Sequence, residues 1–188
     1  LSLPDKNHIR VRIKASKVNY NGVRVEEKDA SGDTIVHYET TKGELIDTPS
    51  KLNWHKKRHC ETSKAKMDWT VETIQNIPNA LVFAETTDSI NELSSRLTKA
   101  GVEHGIWDGT RKHDYNKHSV MILQYQAGGT GLNLQRFSTT IFMSPCYSYT
   151  NFSQAIGRTY RSGQEKKCTF YELEAIGMID GKIYEALD

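Results

Sequence analysis

The sequence predicts an α/β domain in three layers, a parallel sheet covered by helices on both faces, and three observations predict it. Short apolar runs suited to strands recur at residues 80–84, 102–107, 119–125, 139–144 and 168–173. Amphipathic stretches with helical spacing accompany them at 68–75, 89–99, 149–161 and 179–187. Strands that alternate with helices indicate parallel pairing, because each parallel pair needs a crossover that returns the chain to the same end of the sheet. The third observation is size. The chain has 188 residues, 37% of them hydrophobic and 26% charged, enough to bury roughly 70% of the unfolded surface around one core but not to build two full domains of about 150 to 200 residues each.

The first third reads differently from the rest. Ile9, Val11 and Ile13 alternate with Arg10, Arg12 and Lys14, and Val23, Val25, Ile35, Val36 and Tyr38 flank the turn-like residues 29–33. Alternation of period two around a turn predicts short antiparallel strands. Thr48 followed by Pro49 starts a helix, since threonine caps well and proline at the first helical position has no donor to lose. That helix, residues 50–59, is basic. From Met67 the α/β beat sets in. In the helix at 89–99, Ile90, Leu93 and Leu97 share one face, and Ser89 with Glu92 makes a capping box. Residues 1–62 are thus expected as a β-rich extension with a basic helix, and 63–188 as the three-layer domain.

Composition narrows the function. There is no run of 18 apolar residues and no basic-then-apolar leader, so the expected compartment is the cytoplasm. Cys60, Cys146 and Cys168 are odd in number and far apart, and the seven histidines, His55 and His59 included, lack metal-ligand spacing. Lys and Arg total 25 against 23 Asp and Glu, a balance that is informative only where it is uneven. Residues 51–66, KLNWHKKRHCETSKAK, carry six basic residues against one Glu, which fits either a solvated helix face or a phosphate-contacting patch. Trp54 and Trp69 are expected as apolar anchors rather than base-stacking platforms.

In an open parallel sheet, ligands sit beyond the carboxyl ends of the strands, and two loops there are unusual. The run Gln126-Ala127-Gly128-Gly129-Thr130-Gly131-Leu132-Asn133-Leu134 has three glycines in four positions. Such a loop either offers successive N–H groups to an anion or makes a tight turn. The second is Ser153-Gln154-Ala155-Ile156-Gly157-Arg158-Thr159-Tyr160-Arg161-Ser162-Gly163-Gln164. At about 100° per residue, Gln154, Arg158 and Arg161 fall within a stripe roughly 60° wide on a helix. One amide and two permanently charged, fork-shaped guanidiniums on one side form a phosphate-reading face. Gly157 costs about 1 kcal/mol in a helix interior and predicts that something packs closely against it.

These residues resemble a known family. Gln154-x-x-Gly157-Arg158-x-x-Arg161 resembles motif VI of superfamily 2 helicases, and its extension through Ser162-Gly163-Gln164 resembles the Swi/Snf-type branch of DNA translocases. The glycine loop, with its Gly-Leu-Asn-Leu ending, is similar to motif V of that branch. Leu81-Val82-Phe83-Ala84-Glu85-Thr86-Thr87-Asp88 resembles motif IV, and Trp107-Asp108-Gly109-Thr110 the Asp-Gly-Ser/Thr segment that follows the next strand. Residues 179–184 resemble the closing helix of the lobe, and Leu3-Pro4-Asp5-Lys6 the connector that leaves the first lobe. The resemblance covers about two-thirds of the chain, from residue 63 to the end. It departs from the pattern at Gln124-Tyr125, where Ser-Thr is usual, and at Ala84-Glu85, where Ser-Gln is usual. Residues 22–45 do not match it and read as a small insertion.

The resemblance implies a RecA-like second lobe that works on ATP held, with Mg²⁺, by a first lobe. The chain contains no Gly-x-x-x-x-Gly-Lys-Ser/Thr loop and no acidic magnesium motif, so alone it is expected to be inactive. By the same resemblance Arg161 is the arginine finger, Arg158 a second γ-phosphate contact and Gln154 an orienting group. Gly131 and Asn133 lie near the nucleotide. Gly128, Gly129, Gly109, Thr110 and Thr87 belong to the surface that follows a nucleic-acid backbone, double-stranded DNA being the expected partner. Thr87 also has a plain alternative role as the cap of the helix beginning near Ser89. The implied function is the C-terminal motor lobe of a DNA helicase or translocase, and the economical build suggests a bacterial or phage-infected host. The alternative is a stand-alone nucleic-acid-binding or regulatory module that kept the fold without catalysis.

Overall fold

A computed structural model describes residues 3–14, 23–28, 30–39, 44–46, 48–127 and 131–187. Three strands open the chain, β1 (Lys6–Ile13), β2 (Val23–Lys28) and β3 (Thr34–Glu39). Helices α1 (Pro49–Glu61) and α2 (Lys64–Gln75) lead into β4 (Ala80–Ala84), α3 (Thr87–Lys99), β5 (Gly105–Trp107) and β6 (Val120–Gln124). Then come β7 (Thr139–Phe142), α4 (Tyr149–Thr159), β8 (Cys168–Ala175) and α5 (Ile179–Leu187). Six strands form one sheet in the order β1-β8-β7-β4-β6-β5, parallel at every pairing, and β2 pairs with β3 in a separate antiparallel hairpin.

The central strand β4 is buried at every position, as a strand covered on both faces must be. Its alternate residues feed two cores. Ala80, Val82 and Ala84 join Met67 and Ile74 of α2 and Ile90, Leu93 and Leu97 of α3, while Leu81 and Phe83 join Phe152 and Ala155 of α4 and Tyr184 of α5. That is the three-layer arrangement the sequence predicts.

Several expectations need correction. The alternating residues Ile9, Val11 and Ile13 do form a strand, but β1 runs parallel to β8 along its full length, Lys6 beside Cys168 and Ile13 beside Ala175, at the edge of the main sheet. Only β2 and β3 make the expected antiparallel pair. The cap of α3 is Thr86, whose hydroxyl accepts the Ser89 N–H at 3.2 Å; Ser89 and Thr87 are both inside the helix. That helix closes in a Schellman turn, with Val102 N–H on the Leu97 carbonyl at 2.9 Å, Gly101 N–H on Thr98 at 3.0 Å, and Gly101 at φ +72. The turn delays β5 to Gly105, three residues later than expected. Helix α4 ends at Thr159, so Arg161 lies beyond it.

Three fully buried charged residues join elements, Lys66 with Asp180 and Glu61 by itself. Lys66 donates to the Met143 carbonyl at 2.6 Å and to Asp180 at 2.5 Å, tying α2 to the end of β7 and to α5. The carboxylate of Glu61, at the end of α1, accepts from the backbone of Glu85 (2.8 Å) and Thr86 (3.0 Å) and from the hydroxyls of Ser89 (2.7 Å) and Ser144 (2.5 Å). Burial of a carboxylate is tolerated when its lone pairs are met in this way.

Candidate functional site

Beyond the carboxyl ends of the strands, the glycine loop and the end of α4 meet in a cleft of about 350 Å³ lined by Gly131, Leu132, Gln154, Gly157, Arg158 and Arg161. Backbone and amide bonds stitch the two segments together. Leu134 N–H donates to the Arg158 carbonyl at 3.3 Å, and the Gln135 side-chain amide donates to the carbonyls of Arg161 (3.5 Å) and Ser162. Gln164, buried under the turn after α4, donates to the carbonyls of Gln135 (2.9 Å), Thr159 (3.0 Å) and Phe137 (3.3 Å) and accepts from Lys166 N–H at 2.9 Å. Arg161 therefore reaches the cleft from a pinned turn rather than from a helix face. Gln154, Arg158 and Arg161 still line the same cleft.

The cleft is electropositive, with two guanidiniums on its lining. Arg158 is only 9% exposed, and burial pulls its pKa below the ordinary arginine value. Among the described residues no carboxylate pairs with Arg158 or Arg161. Gly131 has φ +48, where a side chain is strained, and the exposed Asn133 turns its Oδ1 to accept from Gln135 N–H at 3.4 Å. Gly157 is not packed against: a Cβ there would meet nothing within 4 Å. The close neighbour expected from the sequence is not within this fold, and Gly157 opens onto the cleft instead.

Thr87, Gly109 and Thr110 are exposed at the same end of the sheet. The tip carrying Gly109 and Thr110 is a rigid turn. Asp108 N–H donates to the Arg111 carbonyl at 2.9 Å, Trp107 bridges Lys112, and the Asp108 carboxylate accepts from Thr110 N–H (2.9 Å), Thr110 hydroxyl (3.1 Å), Arg111 N–H (2.7 Å) and Arg111 Nε (2.8 Å). Burial pushes the Asp108 pKa up, but these donors outweigh it and hold the carboxyl well below the usual range. Gln124, which departs from the family pattern, donates to the Glu85 carbonyl at 3.1 Å and so joins the end of β6 to the loop after β4. Gly128 and Gly129 lie outside the described residues.

Sequence reasoning missed the role of α1. Of the six basic residues in 51–66, four pair with acids of this chain: Lys57 with Glu85, Arg58 with Asp88, Lys66 with Asp180 and, at the surface, Lys64 with Asp68. Lys57 is 3% exposed, its ammonium 4.4 Å from the centroid of the Tyr147 ring. The available signal was the spacing of Lys57, Arg58 and Glu61 at one end of the helix, where the two cations meet the acids that bracket Thr86 and Thr87 and Glu61 takes the backbone N–H groups between them. Trp69 is an anchor, 5.4 Å from the Tyr171 ring, whereas Trp54 is 49% exposed and anchors nothing in the core.

Comparison with known proteins completes the picture. The family described as "Helicase conserved C-terminal domain" matches residues 65–163, more than half of the chain. The SNF2 domain-containing protein ENL1 of Oryza sativa subsp. japonica is 27% identical over 135 residues, and the chromatin-remodeling ATPase INO80 of Candida glabrata 29% over 136 residues. These matches cover 64% and 65% of this chain but span only 14% and 9% of the relatives. The solved C-terminal part of the Fun30 ATPase domain superposes with a TM-score of 0.60 at 21% identity, over 69% of this chain and 46% of that one, which shows the RecA-like fold. Among the described residues no helix is long and apolar enough to cross a membrane. The cleft, the order of its motifs and these matches lead to one conclusion: the chain belongs to the helicase conserved C-terminal domain family, on its Swi/Snf-type branch.

Proposed function

We propose that this chain is the C-terminal motor lobe of an ATP-dependent DNA translocase or helicase. The observation that carries the proposal is the cleft where Arg158 and Arg161, without carboxylate partners among the described residues, share one wall with Gln154 and Gly131. A buried guanidinium that no acid neutralises is suited to a phosphate brought from outside. The residues fit ATP held, with its Mg²⁺, by a first lobe carrying the Walker A loop. Arg161 and Arg158 would lend charge to its γ-phosphate, Gln154 would orient that group, and Gly131 and Asn133 would lie beside it. Fingers of this kind are worth about 10³ to 10⁵ in rate in nucleotide hydrolases, so a lobe that closes and opens would couple hydrolysis to movement.

Thr87, Gly109, Thr110, Gly128 and Gly129 are proposed to follow the phosphates of double-stranded DNA. Contacts of that kind position the protein without reading sequence. The relatives it resembles, a chromatin-remodeling ATPase and a DNA repair protein among them, favour DNA. A phage or prophage origin draws no support from ENL1 and INO80, which come from rice and Candida glabrata.

The test is turnover. A protein joining this chain to its first lobe is expected to show DNA-stimulated ATPase activity, and Arg161→Ala to reduce its kcat about 10³-fold or more, while the isolated chain hydrolyses ATP negligibly. Undiminished turnover in Arg161→Ala refutes the finger assignment.

A further inference from the structure

Glu85 sits two residues before Thr87, at the carboxyl end of β4, with 23% of its side chain exposed. Asp88 follows Thr87 directly and is 44% exposed. Two carboxylates therefore bracket a segment proposed to lie along phosphates, and each would repel them. One helix answers both. Lys57 of α1 pairs with Glu85, and the adjacent Arg58 pairs with Asp88. One turn further on, Glu61 holds the backbone N–H groups of Glu85 and Thr86, so the loop is fixed in place while its acids are neutralised. The ammonium of Lys57 is too deeply buried to touch a nucleic acid itself, and it lies against the Tyr147 ring, which keeps it at the inner side of Glu85.

We propose that α1 is the electrostatic screen of the nucleic-acid surface, Lys57 neutralising Glu85 and Arg58 neutralising Asp88 so that phosphates can approach Thr87. The proposal rests on the nucleic-acid reading given above and adds to it. Helix α1 precedes residue 65, outside the segment that matches the family, and Glu85 is where this chain departs from the family's usual glutamine. The acid and its neutralising base thus form a paired feature of this chain, in which Lys57 is a positioning residue and not a contact.

Binding of a short fluorescent duplex of arbitrary sequence to the full chain, followed by anisotropy at low and at physiological salt, tests the screen. Lys57→Met leaves Glu85 unneutralised and is expected to weaken binding about three- to tenfold at low salt, with a smaller effect as salt rises. The double variant Lys57→Met/Glu85→Gln is expected to return to within about twofold of the wild type. A purely structural role for Lys57 would not be rescued by removing the acid. Wild-type affinity in Lys57→Met, or a double variant as weak as the single one, overturns the proposal. If thermal melts show that Lys57→Met does not fold, Glu85→Gln alone decides: it leaves the cation in place and should bind about two- to fivefold tighter at low salt, and unchanged or weaker binding overturns the screen. A wild-type chain that binds neither duplex nor single strands refutes the nucleic-acid reading itself and takes this proposal with it.

Discussion

Lys57 shows how one buried cation makes both an interaction and a liability. Burial pushes its pKa from 10.5 down to about 8, against the raising influence of Glu61. Between those two pH values the unfolded chain keeps a proton that the folded protein has released, so folding stability should rise as pH climbs from about 8 to 10.5. The gain is at most about 3 to 4 kcal/mol, and it should be absent in Lys57→Met. Urea midpoints of the two proteins across that range, taken as a difference so that other groups cancel, measure it; parallel profiles would mean that Lys57 does not titrate there. At this scale the sequence was legible where chemistry is local. Gln154, Arg158 and Arg161 are found by spacing because their residue types are costly to assemble by chance. Glu61 and Lys57 are not, because their partners lie 24 and 28 residues away in sequence, and a basic run looks the same whether its charges face water or neighbouring acids.

The turn after α4 is where an element's end matters more than its face. Gln164 reaches three carbonyls and accepts one N–H in a buried position, and it fixes the turn from which Arg161 enters the cleft. Gln164→Ala leaves those groups without a partner, which should cost about 1 to 3 kcal/mol; on the proposed function it should also lower the kcat of a two-lobed protein more than it raises KM, because Arg161 loses its support while the proposed first lobe still binds nucleotide. Denaturation midpoints and steady-state kinetics check the two halves of that expectation. Element existence was plain in the sequence: β4 and α5 have the expected bounds, and Thr48 with Pro49 starts α1 as its chemistry requires. Element ends were not. Ser89 with Glu92 has the form of a capping box, yet the Glu61 carboxylate takes the Ser89 hydroxyl and Glu92 pairs with Arg96, so Thr86 becomes the cap. The stripe through Arg161 assumed a helix that stops two residues sooner.

Across the whole molecule, the Lys66–Asp180 pair joins residues 114 positions apart in a site with no exposure. Removing one partner strands the other, and Lys66→Met should cost about 3 to 5 kcal/mol, with most of it recovered in Lys66→Met/Asp180→Asn, because a lone buried charge is the main penalty. Urea unfolding of both variants measures this, and a mild single variant would show that water reaches the pair. The parallel sheet was legible because its central strand β4 is apolar at every position and β6 beside it is largely so. The partner of β1 was not: a strand with one buried and one wet face alternates in the same way whether its neighbour is parallel or antiparallel. That partner is β8, and the pairing of the first strand with the last has a consequence for biosynthesis. A growing chain releases β1 from the ribosome long before β8 is translated, so the edge of β1 that β8 will pair stays unsatisfied until β8 emerges. The sheet closes only when β8 arrives, which makes the emergence of β8 the step that commits this lobe to its native architecture.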